Sequence, residues 1–195
     1  MSEKTNFDPL IYVMSAELKS FFAKVSRDPD MQKKLYFTKE ISDVEDIANN
    51  LGFKVTSAEI LKAQAGRVLA IYKEDSADFE ELISGRRAKR GAQWGRDGKG
   101  YLDRAGFWLL ELESSKALSS FEKKLKSFLS KVKLDLSLKN KLLESRSYND
   151  VSSLANELGF NLSGVSLLLH QAKTILSLSY TDAKKVASGA DSKVS

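Results

Sequence analysis

Few side chains in this 195-residue chain are equipped for chemistry, and they are unevenly placed. One histidine, His170, and no cysteine exclude disulfides, thiolate metal sites and a thiol nucleophile. His170 has no second histidine, and no carboxylates are spaced as a ligand pair, so its expected place is a surface or half-buried position rather than a metal site. No nucleophile with its base, pair of acids or glycine-rich phosphate loop can be assembled. The chain is therefore expected to have no catalytic residues, metal or cofactor, and not to be an enzyme. The densest signal is RRAKRGAQWGRDGKGYLDR, residues 86–104, where Arg86, Arg87, Lys89, Arg90, Arg96, Lys99 and Arg104 surround Trp94 and Tyr101. Cations interleaved with aromatics suit a phosphate backbone with stacked bases, but no base-reading motif sits beside them. They equally suit an acidic protein surface, an anionic membrane, or a spacer kept extended by its own charge. Just downstream, FWLLEL (107–112) puts Trp108 either in an exposed docking patch or in the first turn of a helix. The spacing of Leu110, Ser114 and Leu118 favours a helix whose free end is open to a partner.

The elements that must carry these residues follow from charge and periodicity. The net charge is +5, from 31 Lys+Arg against 26 Asp+Glu. Residues 1–85 hold 11 basic and 15 acidic side chains, and residues 105–195 hold 13 and 9, so these outer parts cancel and residues 86–104 alone account for the excess. Gly91, Gly95, Gly98, Gly100 and Gly106 gather in the same stretch and mark it as a linker. With 42% hydrophobic and 29% charged residues the remainder is ordinary globular sequence. No apolar run approaches the roughly 18–20 residues of a membrane span, and the opening does not read as a signal peptide, so a cytoplasmic location is expected.

An offset of 107 aligns Ile11 to about Ile71 with the second half of the chain without a gap, about a third of the positions being identical. KSFFAKVSRD from Lys19 overlies KSFLSKVKLD from Lys126, and DVEDIANNLGF from Asp43 overlies DVSSLANELGF from Asp150. With three residues dropped, DFEELISG from Asp78 overlies DAKKVASG from Asp182. Each copy reads as helices. Ile11, Met14, Leu18, Phe21 and Val25 share one face of a helix that can begin at Asp8-Pro9, and Leu118, Phe121, Leu125, Phe128 and Val132 repeat that face. A second helix runs around Met31 and Leu35, matched by Leu138 and Leu142. Ser42 with Glu45 predicts a capping box for a third helix, burying Val44, Ile47, Ala48 and Leu51. Gly52 and Gly159 stand where a left-handed residue ends that helix, and Phe53 and Phe160 can fold back on its last turn. Thr56 with Glu59, and Ser163 in the second copy, open a fourth helix that keeps one long polar pair, Gln64 and Gln171. Its opening residues offer few base-reading side chains.

The words AELKSFFAKVSRDPDMQKKL, DIANNLGFKVTSAEI and LANELGFNLSG resemble the Nif-eleven family, the nitrogen-fixation leader-peptide-like domain, over Ser15 to about Gly85 and Phe121 to Gly189. The resemblance implies a helical domain of the kind that serves, commonly in cyanobacteria, as the leader of a ribosomally made, modified peptide. Such a leader is held by a modifying enzyme and cut after a double glycine. Here Ser84-Gly85 and Ser188-Gly189 stand at the matching places, which makes Gly85 and Gly189 the candidate processing positions. ADSKVS follows Gly189 and has no cysteine for a thioether ring.

Together these readings predict an all-α protein of two tandem four- to five-helix units, residues 1–85 and 107–195, joined by a basic glycine-rich linker at 86–106. A unit of about 60 residues buries too little surface to be secure alone, so the copies are expected to pack together or to form a homodimer. The expected function is a non-enzymatic adaptor that binds a protein partner through its helical faces and Arg86, Arg87, Lys89, Arg90, Trp94, Arg96 and Trp108. A precursor or leader of a modified peptide, and nucleic-acid binding through the linker, are the alternatives.

Overall fold

Short polar side chains set where the helices begin. Ser15 accepts from the Leu18 amide at 3.2 Å and opens α1 (Ala16–Val25). Asp28 accepts from Met31 at 3.0 Å and opens α2 (Pro29–Tyr36), whose first residue is a proline with no amide hydrogen to leave unpaired. The computed structural model describes residues 14–38, 40–73, 79–80, 83–84 and 118–188. Within them the first repeat continues with α3 (Ile41–Asn50) and α4 (Ser57–Lys73). The second repeat comprises α5 (Ser120–Leu134), α6 (Leu136–Glu144), α7 (Tyr148–Glu157), α8 (Gly164–Ser177) and α9 (Tyr180–Ser188). The described residues contain no strand, and the fold is all-α in tandem units, as the repeat predicts.

Three boundaries differ from the sequence reading. α1 starts at Ala16, so Met14 precedes it and only packs against the core, while Asp8, Pro9 and Ile11 lie outside the described residues. α3 is capped by Glu40 with Asp43 rather than by Ser42 with Glu45. Glu45 is drawn away because its carboxylate accepts from the Ser57 amide at 2.8 Å, which satisfies an otherwise orphaned donor at the start of α4. The seam from Leu110 through Leu118 does not run unbroken into α5. Ser119 is extended (φ −63°, ψ 165°) and boxes with Glu122, so Leu118 stands outside the helix, and Phe107–Leu112 lie outside the described residues.

The glycine stops are as expected. Gly52 (φ 87°) and Gly159 (φ 84°) take the left-handed conformation. Phe53 N–H then reaches Ala48 O at 3.0 Å and Phe160 N–H reaches Ala155 O at 3.0 Å, the six-to-one bond of a Schellman end. Each phenylalanine turns back onto the first helix of its own repeat. Phe53 meets Phe21 at 5.8 Å between ring centroids and Phe160 meets Phe128 at 5.7 Å. The interior obeys the same equivalence: Leu18 and Leu125, Leu35 and Leu142, Val44 and Val151, Leu61 and Leu168, Ala65 and Ala172 are all buried. Each fully buried leucine or phenylalanine contributes about 2 kcal/mol.

One core serves both repeats. The longest helix of the first, α4, packs against its counterpart α8, while the last helix, α9, packs mainly on α4 and α3. No helix among the described residues is long and apolar enough to cross a membrane.

Candidate functional site

Only Leu178 and Ser179 separate α8 from α9, yet α9 finds its main seat on the other repeat. Leu178 is extended (ψ 147°), which breaks the helix, and Ser179 restarts it by accepting from the Asp182 amide at 3.1 Å. Ser179 Oγ also donates to the Asp182 carboxylate at 2.7 Å and holds that carboxyl below its ordinary range. Ala183 and Ala187, one turn apart, are fully buried, and Val186 packs on the core beside them, while Lys184 and Lys185 face solvent. Alanines four residues apart let the backbone of α9 lie close to its neighbours. The joint is fastened from across the repeat boundary by Lys62 of α4, whose Nζ donates to Leu176 O at 3.3 Å and Leu178 O at 2.5 Å. These are carbonyls at the end of α8, where a cation is also favoured by the helix dipole.

The first repeat returns the contact. Phe79 and Ile83, which overlie Ala183 and Ala187 in the repeat alignment, are buried. Phe79 meets Tyr72 of α4 at 4.9 Å between centroids. Ile83 lies on the second repeat: its Cγ2 is 2.8 Å from where a Cβ on Gly164 would stand. With Glu80 it lines a cavity of about 440 Å³ together with Asn149, Asn156, Asn161 and Gly164 of the α7–α8 corner. Thus α9 of the second repeat lies on α4 and α3 of the first, and Ile83 of the first repeat lies on Gly164 of the second.

The conserved-spacing glutamines have unequal surroundings. Gln171 is buried and accepts from the Tyr148 hydroxyl. Position 41 holds Ile where the second repeat has Tyr148, and Gln64, 3% exposed, has both amide atoms without a partner. His170 is half-buried, 5.5 Å from the Phe121 ring and with Nδ1 4.0 Å from Glu122. Burial pushes its pKa down, against the raising influence of Glu122. Glu122 is itself held low, chiefly by its hydrogen bonds to Ser119. Among the described residues no three histidine or carboxylate side chains gather closely enough to hold a metal ion.

Arg86, Arg87, Lys89, Arg90, Trp94, Arg96, Trp108, Gly85 and Gly189 all lie outside the described residues. Their neighbours Ser84 and Ser188 are described, and Ser188 closes α9 with its hydroxyl donating to Lys185 O at 2.9 Å. Sequence reasoning missed a second surface feature. Leu134 and Leu136, on either side of Asp135 at the α5–α6 corner, are 90% and 72% exposed, and Leu143 is exposed nearby in sequence on α6. The corresponding residues of the first repeat are Arg27, Pro29 and Tyr36, so the offset alignment itself held the signal.

Comparison with known proteins places this geometry. The family model described as the Nif11 domain matches residues 14–60 and again residues 122–165, that is α1 to α3 with the first turn of α4, and α5 to α7 with the first residues of α8. No curated protein and no solved structure matches the chain.

Proposed function

From a chain that carries two tandem Nif11 domains, we propose a cytoplasmic, non-catalytic adaptor that holds a protein partner on its leader-like helical surface, with the basic segment 86–104 and Trp108 as further contacts. The exposed leucine pair at the α5–α6 corner carries this reading. Leu134 and Leu136 stand in solvent on only one of two otherwise matched repeats, so the fold itself does not require them there. Exposed leucines flanking a helix junction suit the apolar centre of a protein interface, with Lys131, Lys133 and Lys139 as a polar rim. A pull-down from the native cell with the wild-type chain and with Leu134→Ser/Leu136→Ser tests it. The adaptor reading expects a salt-resistant partner that the double variant loses by more than tenfold. Equal recovery by both chains refutes it.

The Nif11 match favours a second reading, the precursor or leader of a modified peptide. The intact mass of the chain from its native cell decides between them. A mass ending at Gly189 or Gly85, or one lacking water, supports the precursor; an unmodified 195-residue mass supports the adaptor.

A further inference from the structure

The two repeats open their long helices with different chemistry. At the start of α4 the Glu45 carboxylate accepts from the Ser57 amide at 2.8 Å, and Glu59 accepts from the Thr56 amide and hydroxyl at 3.0 and 2.9 Å. The repeat alignment puts Ser152 where the first repeat has Glu45, and Ser166 where it has Glu59. Neither serine supplies a charge. Ser152 Oγ donates to Leu162 O at 2.6 Å, and Ser166 Oγ accepts from the Ser163 hydroxyl at 2.8 Å. The first turn of α8 holds no acidic residue at all. Ser163 caps the Ser166 amide, but among the described residues the amides of Gly164 and Val165 have no hydrogen-bond partner.

Gly164 and Val165 both line the cavity of about 440 Å³ between the repeats, a size within the range of small-molecule sites. The N-terminus of a fourteen-residue helix, whose unpaired donors and dipole favour an anion, therefore faces this cavity. The first repeat shows which anion the position takes, because the Ser57 amide, equivalent to that of Gly164, already holds a carboxylate there. The facing wall differs in charge as well. Glu80 lines the cavity from the first repeat, whereas the repeat alignment puts Lys184 at the matching place on α9. One corner thus pairs its own carboxylate with a cation on the incoming segment, and the other pairs free amides with a carboxylate on the incoming segment. A ligand that completes the second corner brings a carboxylate for Gly164 and Val165 and a cation for Glu80. A simple anion leaves Glu80 unanswered. The exposed carboxamides of Asn149 and Asn161 line the same cavity, and each can donate to and accept from a peptide group.

We propose that this cavity binds a basic amino acid with a free α-carboxylate, either alone or as the last residue of a peptide. The carboxylate sits on the Gly164 and Val165 amides and the side-chain cation faces Glu80. The site shares no residue with the Leu134 and Leu136 corner, so it goes beyond the adaptor reading and stands or falls without it.

The probes are acetyl-Ala-Ala-Lys with a free carboxylate, the same peptide as its C-terminal amide, and L-lysine. Each is titrated into the isotope-labelled full chain and followed by backbone NMR shifts. The free-acid peptide should shift the Gly164 and Val165 amides saturably, and the amidated peptide should bind at least about tenfold more weakly because it forfeits charge-assisted bonds. Glu80→Gln, an exposed substitution, should weaken the free-acid peptide by about two- to fivefold. Ser152→Glu installs the carboxylate of the first repeat and should raise Tm and remove peptide binding, with circular dichroism to check its fold. L-lysine binding as tightly as the peptide assigns the site to the free amino acid, and tighter binding of the peptide assigns it to a chain end. Equal binding of the acid and the amide, tighter binding to the Glu80→Gln chain, undiminished binding to a folded Ser152→Glu chain, or no saturable shift of Gly164 at millimolar peptide overturns the proposal. Should Ser152→Glu not fold, the amide comparison and Glu80→Gln still decide it.

Discussion

Gly164→Ala tests the exchange of segments at one carbon atom. The added Cβ would stand 2.8 Å from Ile83 Cγ2, 2.7 Å from Asn149 Oδ1 and 3.4 Å from the Tyr148 carbonyl carbon. Apolar carbons rest at about 3.5–4.0 Å, so the Ile83 contact is too short by about 0.7–1.2 Å. Asn149 is exposed and its amide can swing aside, but Ile83 is 3% exposed and β-branched, and its χ1 has little freedom to yield. Overpacking of this kind costs about 1–3 kcal/mol. Removing glycine from the first helical position returns less than about 1 kcal/mol through the unfolded state. The net expectation is a loss of about 1–2 kcal/mol, read as a fall of roughly 2–8 °C in Tm. Ile83→Ala alone should lose about 2–4 kcal/mol by leaving a cavity. In the double variant the new methyl occupies part of that cavity, so urea unfolding followed by far-UV circular dichroism should show a coupling of at least about 1 kcal/mol in the favourable direction. Strict additivity, or a Gly164→Ala chain more stable than wild type, would mean that Ile83 does not lie on Gly164 and that the segments are not exchanged.

Gln64→Met replaces a buried amide that has no partner and is expected to stabilise the fold by about 1 kcal/mol, whereas Gln171→Met removes the acceptor of the Tyr148 hydroxyl and is expected to destabilise by about 1–2 kcal/mol; paired urea titrations give both signs. Ile41→Tyr places a phenol at the position equivalent to Tyr148, and it should recover stability in the Gln64 background but not in Gln64→Met. Gly159→Ala meets no neighbour within 4 Å, so its expected cost of about 1 kcal/mol comes from the left-handed backbone alone, and Gly159→Asn should cost less. His170, with its pKa lowered by burial, holds its proton less tightly folded than unfolded. Stability should therefore be level above the unfolded value near 6.5 and fall as pH drops below it, a slope that His170→Gln removes in thermal melts between pH 7 and 5. Glu122, held low by Ser119, adds a separate loss that begins only as pH falls below about 4.5 and that Ser119→Ala should diminish.

What was legible in the sequence divides along a physical line. Contacts inside a repeat are set by local spacing, and the 107-residue offset displayed them twice: Phe53 on Phe21 with Phe160 on Phe128, and the glycine stops at 52 and 159. Caps were harder because several short polar residues compete for each helix start. Ser42 and Glu45 have the spacing of a box, but Glu45 does more by satisfying the Ser57 amide across the turn. Ser119-Ser120-Phe121-Glu122 also has that spacing, and it outweighed a hydrophobic period running on through Leu118, because periodicity does not register a residue held in an extended conformation. The choice of partner groove was the least legible step. Nothing within Tyr180–Ser188 says which repeat will receive it, and the clue lay only in substitutions that diverge together: Phe79 and Ile83 against Ala183 and Ala187, and Gly164 against Ser57.

That divergence also bears on which groove each segment enters. Two identical repeats could each fold their last helix onto themselves or onto each other, and the alternatives would differ little in contact energy. With Gly164 in one groove and Ile83 on the segment that meets it, the self-docked arrangement would set Ile83 against Ser57 and Ala187 over the gap at Gly164, one overpacked and one hollow. Both faults cost stability, and both vanish on exchange. The same complementarity forecasts that Ala187→Ile should destabilise the wild-type chain and that Ser57→Gly should relieve it, converting the first-repeat groove into a copy of the second. If Ser57→Gly leaves the cost of Ala187→Ile unchanged, the two grooves do not select their helices by size, and the divergence of these four positions has another origin.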